Sequence, residues 1–167
     1  MNLLSRLFRK KTVVSKTVDI IAPISGSIID ITNVPDEVFS KKIVGDGIAI
    51  QPTGKRIVAP ITGTIGKIFP TMHAFSILSI EGIEIFVHFG IDTIFLKGNG
   101  FKKIIKKEKK VNVGEIILEY NLKFLKKNAK SVITPIIISN SEKIQRIKKY
   151  SGKVISGVTP IMKITQK

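Results

Sequence analysis

The sequence predicts an all-β protein, either a sandwich or a barrel, with a few short helices. Short runs of β-branched residues alternate with glycine, proline and asparagine along most of the chain. The segment IIAPISGSIIDI at 20–31 is echoed by IVAPITGTIGKI at 57–68, which predicts two equivalent strand-turn-strand units. The segment from His73 to Thr93 alternates apolar and polar residues on both sides of a turn, as a β-hairpin does.

The length and composition favour one compact domain. The chain has 167 residues, of which 43% are hydrophobic, enough for a sizeable core. It has no cysteine, which excludes disulfides, thiolate metal sites and cysteine nucleophiles. No apolar run approaches the roughly 18 residues that a membrane-spanning helix needs, and the start of the chain lacks the pattern of a signal peptide. We therefore expect a cytoplasmic protein.

The first residues differ in composition from the rest, and we expect residues 1–17 to form an N-terminal tail ahead of a domain at 18–167. A short helix there would be amphipathic, with an apolar face and a basic face; these faces would comprise Leu3, Leu4, Leu7 and Phe8, and Arg6, Arg9, Lys10 and Lys11. Two interpretations stay open. The tail is either a helix that makes weak contact with a membrane or a flexible, solvated segment.

The net charge of +16 raises the question of nucleic-acid binding, because clustered cations release counterions from phosphates. The excess is nearly all lysine, accompanied by abundant isoleucine and asparagine, a composition typical of AT-rich genomes. Arginine, which reads base edges best, occurs only four times. We expect no specific nucleic-acid binding, only a weak general affinity for polyanions.

Two further patterns concern glycines and helices. The segment VGDGIAI at 44–50 weakly echoes VNVGEIILE at 111–119, which suggests architectural glycine turns. Amphipathic spacing predicts short helices over 100–110 and 122–131 and a helical turn within 141–150.

The chain has only two histidines, and the hairpin brings them together. If Ile80 and Glu81 form the turn, His73 lies directly opposite His88, with Cβ atoms roughly 5 Å apart on one sheet face. A turn at Glu81 and Gly82 would separate them. In the first register, the residues that share the face of the histidines are Phe75, Ile77, Glu84 and Phe86.

Three chemistries suit two adjacent imidazoles without a cysteine. The first is a metal site in which His73 and His88 bind zinc, with the remaining ligands supplied by another protein. The second is acid-base or hydrolytic catalysis, for which Ser76 and Ser79 are the nearby hydroxyls; strand parity points Ser76 away. The third is phosphoryl transfer, in which one ring nitrogen accepts the group and the second ring holds its oxygens.

A family resemblance favours the third chemistry. The run GIEIFVHFGIDT at 82–93 resembles the phosphohistidine signature of the glucose-type enzyme IIA of the bacterial phosphoenolpyruvate-dependent sugar phosphotransferase system. Similar stretches follow the family's order from about residue 18 to the C-terminus: IIAPISGSI, VPDEVFSKKIVGDGIAIQPTG, VAPITGTIGKIF, HAFSI, LKGNGFK and SGKV.

The resemblance implies roles for three residues. His88 falls on the histidine that accepts a phosphoryl group on Nε2 from the phosphohistidine of the carrier protein HPr and passes it to a cysteine of the sugar permease's IIB domain. His73 falls on the supporting histidine, which helps to donate the group onward. Thr71 is expected to orient the ring of His73.

The resemblance also implies a partner-binding rim. Asp36 and Asp92 match carboxylates that meet an arginine of the partner. The apolar collar around the histidines matches Val38, Phe39, Ile43, Val44, Phe69, Phe75, Phe86 and Ile94. From its own context Phe39 is expected to point outward, because it follows the polar turn PDEV.

The family fold is an antiparallel β-sandwich with barrel-like closure, built from a duplicated hybrid motif. Members require no cofactor, although a zinc ion at an interface can bridge both histidines to a partner carboxylate. The resemblance further implies a monomer, and partners that include regulated permeases, glycerol kinase and adenylate cyclase. The alternative is a regulatory binding module of the same fold that uses the histidines only as zinc ligands.

Overall fold

The computed structural model describes residues 16–106 and 110–167, and this part of the chain is built mainly of short antiparallel strands. The strands are β1 (Thr17–Ile21), β2 (Gly26–Asp30), β3 (Asp46–Pro52), β4 (Arg56–Val58), β5 (Gly63–Ile68), β6 (Ala74–Ser79), β7 (Glu84–His88), β8 (Phe101–Lys103), β9 (Lys110–Val111), β10 (Ile116–Tyr120), β11 (Thr134–Ile138), β12 (Ile144–Lys149), β13 (Lys153–Val154) and β14 (Pro160–Gln166). The helices are α1 (Glu37–Ser40) and α2 (Leu122–Asn128), with 3-10 turns at Ile31–Asn33, Thr93–Leu96 and Ser141–Lys143.

The N-terminal helix or tail proposed from sequence falls almost wholly outside the described residues and stays a prediction. Thr17, its last residue, is the first residue of β1. Within 16–106 and 110–167, no helix is both long enough and apolar enough to cross a membrane.

The strands form three sheets. The largest has eight strands in the order β13-β2-β3-β11-β7-β6-β5-β9, and two smaller sheets have the orders β1-β14-β12 and β4-β10-β8. Every ladder between these strands is antiparallel. The prediction of an antiparallel, all-β sandwich architecture is confirmed.

The predicted barrel-like closure is wrong, because none of the sheets closes on itself. Among the described residues, the large sheet ends at β9 on one side and β13 on the other, and these two strands do not pair with each other. Each is only two residues long, so little backbone is left unpaired at either edge. Residues of the two smaller sheets share the main core cluster with residues of the large sheet.

The internal repeat is confirmed as a structural duplication. β1 and β2 in the first unit correspond to β4 and β5 in the second. The two units cross-link through equivalent hydrogen bonds: the Ile21 amide donates to the Pro60 carbonyl at 2.9 Å, and the Val58 amide donates to the Pro23 carbonyl at 2.8 Å. The two halves of the large sheet have the same strand order when each is counted inward from its edge. The order is β13, β2, β3, β11 in one half and β9, β5, β6, β7 in the other, so β11 and β7 are neighbours at the centre.

The core consists mostly of isoleucine from both halves, in one main cluster and one smaller one. The smaller cluster contains Ile31, Val34, Phe39, Ala49, Ile91 and Ile137 and supports the region of α1. The main cluster includes Ile77, Ile85 and Val87 of the β6–β7 hairpin, so the hairpin that carries the histidines packs against the core.

The short amphipathic segments were partly misassigned from sequence. The helix predicted over 122–131 is present as α2, capped by the Asn121 side chain, which accepts from the Phe124 amide at 3.0 Å. The helix predicted over 100–110 is wrong, because Phe101–Lys103 pairs with β10 as a strand. A three-residue strand with one buried apolar residue and exposed lysines resembles a helix turn when only polarity is considered.

Gly45 and Gly114, the glycines of the weaker sequence repeat, do not occupy equivalent positions in the fold. Gly45 lies against the backbone of Ile138, whereas Gly114 faces Gly157 across the duplication, where a Cβ on Gly157 would lie 3.4 Å from the Gly114 Cα. At both glycines the backbone of another segment approaches closely, as expected for glycines with an architectural role.

Candidate functional site

The hairpin formed by β6 and β7 carries the site, in a register that differs by one residue from the expected one. Ala74, and not His73, pairs with His88. Residues Ile80 to Ile83 connect the two strands. The Ser79 amide donates to the Ile83 carbonyl at 2.8 Å, which leaves a three-residue turn, Ile80 to Gly82, and Gly82 takes a φ of 83°, which glycine adopts readily. The prediction that Ile80 and Glu81 form a two-residue turn is therefore wrong.

The register decides which side chains share a face. Phe75 and Ile77 lie on the core side and are 1% and 0% exposed, whereas Phe86 and Glu84 lie on the opposite face, with Ser76 paired to Phe86. Two predictions are thus corrected: Phe75 is a core residue and has no surface to offer a partner, and Ser76 lies on the same face as Phe86.

The two histidines are nevertheless adjacent. His73 precedes the first residue of β6, so the alternation of faces along the strand does not fix its direction. It follows Met72, which takes a φ of 57°, and its carbonyl accepts from the Phe89 amide at 2.6 Å. The imidazole rings of His73 and His88 lie with their centroids 4.8 Å apart and their planes inclined by 79°.

The His88 ring is oriented by the backbone two residues further on. Its Nδ1 atom lies 2.8 Å from the Gly90 carbonyl oxygen. A carbonyl can only accept a hydrogen bond, so Nδ1 of the neutral ring carries the proton and Nε2 carries the lone pair. The half-buried His88 therefore has a nucleophilic nitrogen that is free of this bond.

The His73 ring is held by the side chain predicted from sequence. The Thr71 hydroxyl oxygen lies 2.6 Å from His73 Nδ1, within a tight turn in which the Met72 amide donates to the Phe69 carbonyl at 2.8 Å. His73 itself is 4% exposed. Thr71 and His73 thus form a fixed unit beside the more accessible His88.

Both imidazoles favour the neutral form. Burial and, to a smaller extent, the nearby His88 together lower the pKa of His73 to about 4. Burial also lowers the pKa of His88, while its hydrogen bond to Gly90 and the negative charges of Asp36 and Asp92 partly oppose that effect. At neutral pH both rings are therefore uncharged, as a nucleophilic nitrogen requires.

Aromatic rings surround the histidines. Phe39 and Phe86 lie 5.1 and 5.9 Å from His88 between ring centroids, and Phe69 lies 5.4 Å from His73. The expectation that Phe39 points outward is wrong: it is 5% exposed and packs in the smaller core cluster. The short helix α1 turns its ring inward, so that it supports His88 from within.

The remaining collar residues lie where a partner can reach them. Four of them are exposed hydrophobic residues, on two segments that flank the site: Val38, Ile43, Val44 and Ile94. Phe69 and Phe86 are half-buried and contact each other with centroids 6.0 Å apart. Exposed apolar side chains thus lie on the segments that carry Phe39 and Asp92, two neighbours of His88.

Two carboxylates stand near this apolar surface. Asp36 caps α1, its side chain accepting from the Val38 amide at 2.8 Å. Asp92 takes a left-handed conformation, with a φ of 58°, and forms an exposed ion pair with Lys130 at 3.9 Å. Both raise the pKa of His88 through their charge, and their role in binding a partner stays a prediction.

Comparison with known proteins agrees with this geometry. Residues 18–144 match the family model described as phosphoenolpyruvate-dependent sugar phosphotransferase system, EIIA 1. The chain belongs to this EIIA family. It is 57% identical over 148 residues to the glucose-specific EIIA component of the phosphotransferase system of Buchnera aphidicola from Acyrthosiphon pisum, covering 89% of this chain and 92% of that protein.

Two further relatives extend the comparison of this EIIA chain. The N-acetylglucosamine-specific EIICBA component of Klebsiella pneumoniae is 46% identical over 155 residues, covering 92% of this chain and 24% of that protein. The solved structure of glucose permease IIA from Mycoplasma capricolum superposes with a TM-score of 0.81 at 35% identity, covering 89% of this chain and 96% of that one. The EIIA family works in a phosphoryl relay between HPr and a IIB domain, and at this level the function of the chain is that of a phosphotransferase component.

The metal site expected from the histidine pair is incomplete in this EIIA chain. In the described part of the chain, no group of three or more histidine, cysteine, aspartate or glutamate side chains is placed to hold a metal ion. Both Nδ1 atoms are already hydrogen-bonded, so at most the two Nε2 atoms are available, and zinc takes four ligands. A zinc ion would need ligands from a second molecule.

Sequence reasoning missed the Gly90 carbonyl, and it did not single out Phe95 as a candidate for a docking surface. Phe95 is 75% exposed and lies on the 3-10 turn that follows Asp92, its amide donating to the Asp92 carbonyl at 3.2 Å. An aromatic residue in a short turn between charged residues was the available clue. The Gly90 carbonyl left no clue, because a backbone acceptor has no sequence signature.

Proposed function

We propose that His88 Nε2 is the phosphoryl acceptor of this EIIA component, taking the group from phosphorylated HPr and passing it to the cysteine of a IIB domain. The observation that carries the proposal is the 2.8 Å contact between His88 Nδ1 and the Gly90 carbonyl oxygen. It leaves a lone pair on Nε2 of a neutral, half-buried ring beside the aromatic rings of Phe39 and Phe86. Such a nitrogen is ready to attack phosphorus without losing a proton first.

The transfer balances without a cofactor. The Nε2 lone pair of His88 forms a new N–P bond while the N–P bond of the donor phosphohistidine breaks, and its electron pair returns to the donor nitrogen. In the second transfer a cysteine thiolate forms an S–P bond and the His88 N–P bond breaks. Because no proton must move at His88 in either step, the Gly90 hydrogen bond can stay in place throughout.

We assign His73 a supporting role in the onward transfer. Its ring centroid lies 4.8 Å from that of His88, and the Thr71 hydroxyl fixes its Nδ1. A ring in this position can hold phosphoryl oxygens when its Nε2 carries a proton. Its own attack on phosphorus is disfavoured, because it is more deeply buried than His88.

The surroundings suit docking of another protein. The exposed side chains of Val38, Ile43, Val44 and Ile94 form an apolar surface that excludes water from the N–P bond when a partner covers it. Asp36 and Asp92 carry negative charge near His88 on a protein whose net charge is +16. They are well placed to attract a cationic side chain such as the arginine implied by the family resemblance.

Two finer assignments rest on the relatives and on the chemistry. The glucose-specific relative of Buchnera aphidicola supports glucose as the sugar of the companion permease. Since the relay starts from phosphoenolpyruvate, a metabolite of the cytoplasm, we assign the protein to that compartment. The regulated permeases, glycerol kinase and adenylate cyclase stay predictions, as do the monomeric state and an interfacial zinc ion.

Phosphoryl labelling tests the assignment. The protein is incubated with phosphoenolpyruvate, enzyme I and HPr, and acid-labile, alkali-stable phosphate is counted. We expect one phosphoryl group per chain and none in His88→Gln. His73→Gln serves as the matched histidine variant and should accept the group but transfer it poorly to the IIB domain. Undiminished labelling of His88→Gln would refute the role of His88.

A further inference from the structure

We propose that two buried threonines, Thr93 and Thr134, act as positioning residues for the phosphoryl acceptor by fixing the backbone at Gly90. This inference rests on the proposed role of His88. We call the pair the threonine clamp. Both hydroxyls bond to backbone and not to the His88 ring, so they act through the peptide groups that flank Gly90.

The clamp holds one peptide group at both ends. The Thr93 hydroxyl donates to the Phe89 carbonyl at 2.6 Å, and the Gly90 amide donates to the Thr134 hydroxyl oxygen at 3.3 Å. The Thr134 hydroxyl proton is directed at the Val132 carbonyl, 3.0 Å away, so its oxygen is left to accept. A peptide group is planar, and bonds at both ends fix its orientation.

The next peptide group carries the carbonyl that meets His88. The Ile91 amide donates to the Ser131 carbonyl at 2.8 Å. The Gly90 carbonyl, at the other end of the same peptide group, accepts from His88 Nδ1. The segment from Ser131 to Thr134 thus anchors both peptide groups that flank Gly90. Gly90 is the joint between them.

The backbone at Gly90 needs these hydrogen bonds because glycine itself restrains the chain so little. Gly90 has a φ of 67°, and a Cβ there would lie 2.6 Å from the Ser131 carbonyl oxygen and 2.7 Å from Thr93 Cγ2. Glycine is therefore required, and glycine is the residue with the greatest backbone freedom. The clamp restrains that freedom and keeps the carbonyl directed at Nδ1.

The burial of the two threonines supports a dedicated role. Across residues 16–106 and 110–167, only two polar side chains have no exposed surface at all, Thr93 and Thr134, and both bond to the Phe89–Gly90 peptide. A buried hydroxyl costs free energy unless it is hydrogen-bonded. Valine has nearly the same shape as threonine and needs no hydrogen bond. The presence of a hydroxyl at both positions is therefore explained by its bond to the Phe89–Gly90 peptide.

The experiment reads the His88 tautomer directly. In protein labelled with ¹⁵N-histidine, long-range ¹H–¹⁵N correlation identifies which ring nitrogen carries the proton, and no phosphoryl transfer is needed. We expect the Nδ1–H tautomer in the wild type and a mixture of tautomers in Thr134→Val and Thr93→Val. Thr134→Ser and Thr93→Ser should restore the wild-type spectrum. Thr62→Val is the matched control, since Thr62 accepts from the Val113 amide far from the histidines.

Transfer kinetics give the second measurement. In the two valine variants we expect kcat for acceptance from phosphorylated HPr to fall on the order of 10-fold, with KM unchanged within about twofold. An unchanged tautomer together with an unchanged kcat would overturn the clamp. If the tautomer shifts while His88→Gln still labels fully, the proposed function fails; the two threonines would then still orient the His88 ring, but not a phosphoryl acceptor.

A measurement on the wild-type protein covers the case in which the valine variants do not fold. The Gly90 amide should exchange slowly with solvent deuterium, because it is buried and bonded to Thr134. Exchange as fast as that of an exposed loop amide would contradict the proposal.

Discussion

His73 and His88 meet edge to face, with ring centroids 4.8 Å apart and planes inclined by 79°. Each ring is anchored through Nδ1 by a different partner, the Thr71 hydroxyl for His73 and the Gly90 carbonyl for His88. Neither ring depends on the other for its orientation. This arrangement allows one imidazole to take up a phosphoryl group while the other keeps its position.

The first prediction concerns stability against pH. The pKa of His73 is about 4 in the folded protein and 6.5 ordinarily, so the unfolded chain binds more protons between these values. Stability should therefore rise with pH across the window from about 4 to 6.5 and become flat above it, with a contribution from His73 of about 3 kcal/mol. Urea denaturation at a series of pH values measures this dependence.

His73→Gln provides the control for the pH prediction, because glutamine does not titrate in this range. The variant should lose the part of the pH dependence that His73 contributes, and keep the part due to His88, whose pKa is also lowered by burial. Parallel stability curves for the wild type and this variant would contradict the burial effect on His73.

The second prediction isolates the Thr71 hydroxyl. Thr71→Val removes the oxygen that lies 2.6 Å from His73 Nδ1 and keeps the shape of the side chain. We expect labelling of His88 to proceed at the wild-type rate, while transfer to the IIB domain slows on the order of 10-fold. Rapid-quench measurement of both half-reactions separates them.

Thr71→Ser keeps the hydroxyl and should transfer at close to the wild-type rate. An equal slowing of both half-reactions in Thr71→Val would show that Thr71 does not act through His73.

The third prediction concerns Phe39, which packs against His88 at 5.1 Å between ring centroids and is 5% exposed. Phe39→Ala should lower the free energy of unfolding by about 3–5 kcal/mol, since it empties part of the smaller core cluster. Phe39→Leu, which refills most of the space, should lose much less. Equal, small losses in both variants would indicate that Phe39 is not a core residue.

The fourth prediction tests Phe95 as part of the docking surface. Phe95→Ala should raise KM for phosphorylated HPr about fivefold and leave kcat and stability unchanged, because an exposed aromatic contributes to the encounter and not to the chemistry. Ile80→Ala is the control, since Ile80 is equally exposed at the β6–β7 turn. A similar KM in the wild type and Phe95→Ala would exclude this residue from the interface.

The sequence predicted the strand-turn-strand duplication well, because Ile20 to Ile31 and Ile57 to Ile68 repeat a pattern of apolar residues, proline and glycine. It predicted the hairpin but not its register. Ser79 and Gly82 are compatible with turns of two or three residues, and the three-residue turn is supported by tertiary contacts: the Asn140 side chain donates to the Gly82 carbonyl and accepts from the Glu84 amide. No local pattern reveals a partner more than fifty residues away.

The candidate site shows the same division between local and tertiary information. The proximity of His73 to His88 was predicted from a register that proved wrong, and it arises instead because His73 lies outside β6 after a residue with positive φ. The burial of Phe39 depends on how α1 packs against distant strands. The Gly90 carbonyl and the clamp behind it depend on backbone directions, which side-chain patterns do not encode.

The most direct test of the central claim is to locate the phosphorus atom by NMR in the ¹⁵N-histidine-labelled, phosphorylated protein. We expect a single phosphohistidine, with phosphorus bonded to Nε2 of His88 and with Nδ1 of the same ring still carrying its proton. Phosphorus bonded to Nδ1 of His88, or to either nitrogen of His73, would contradict it.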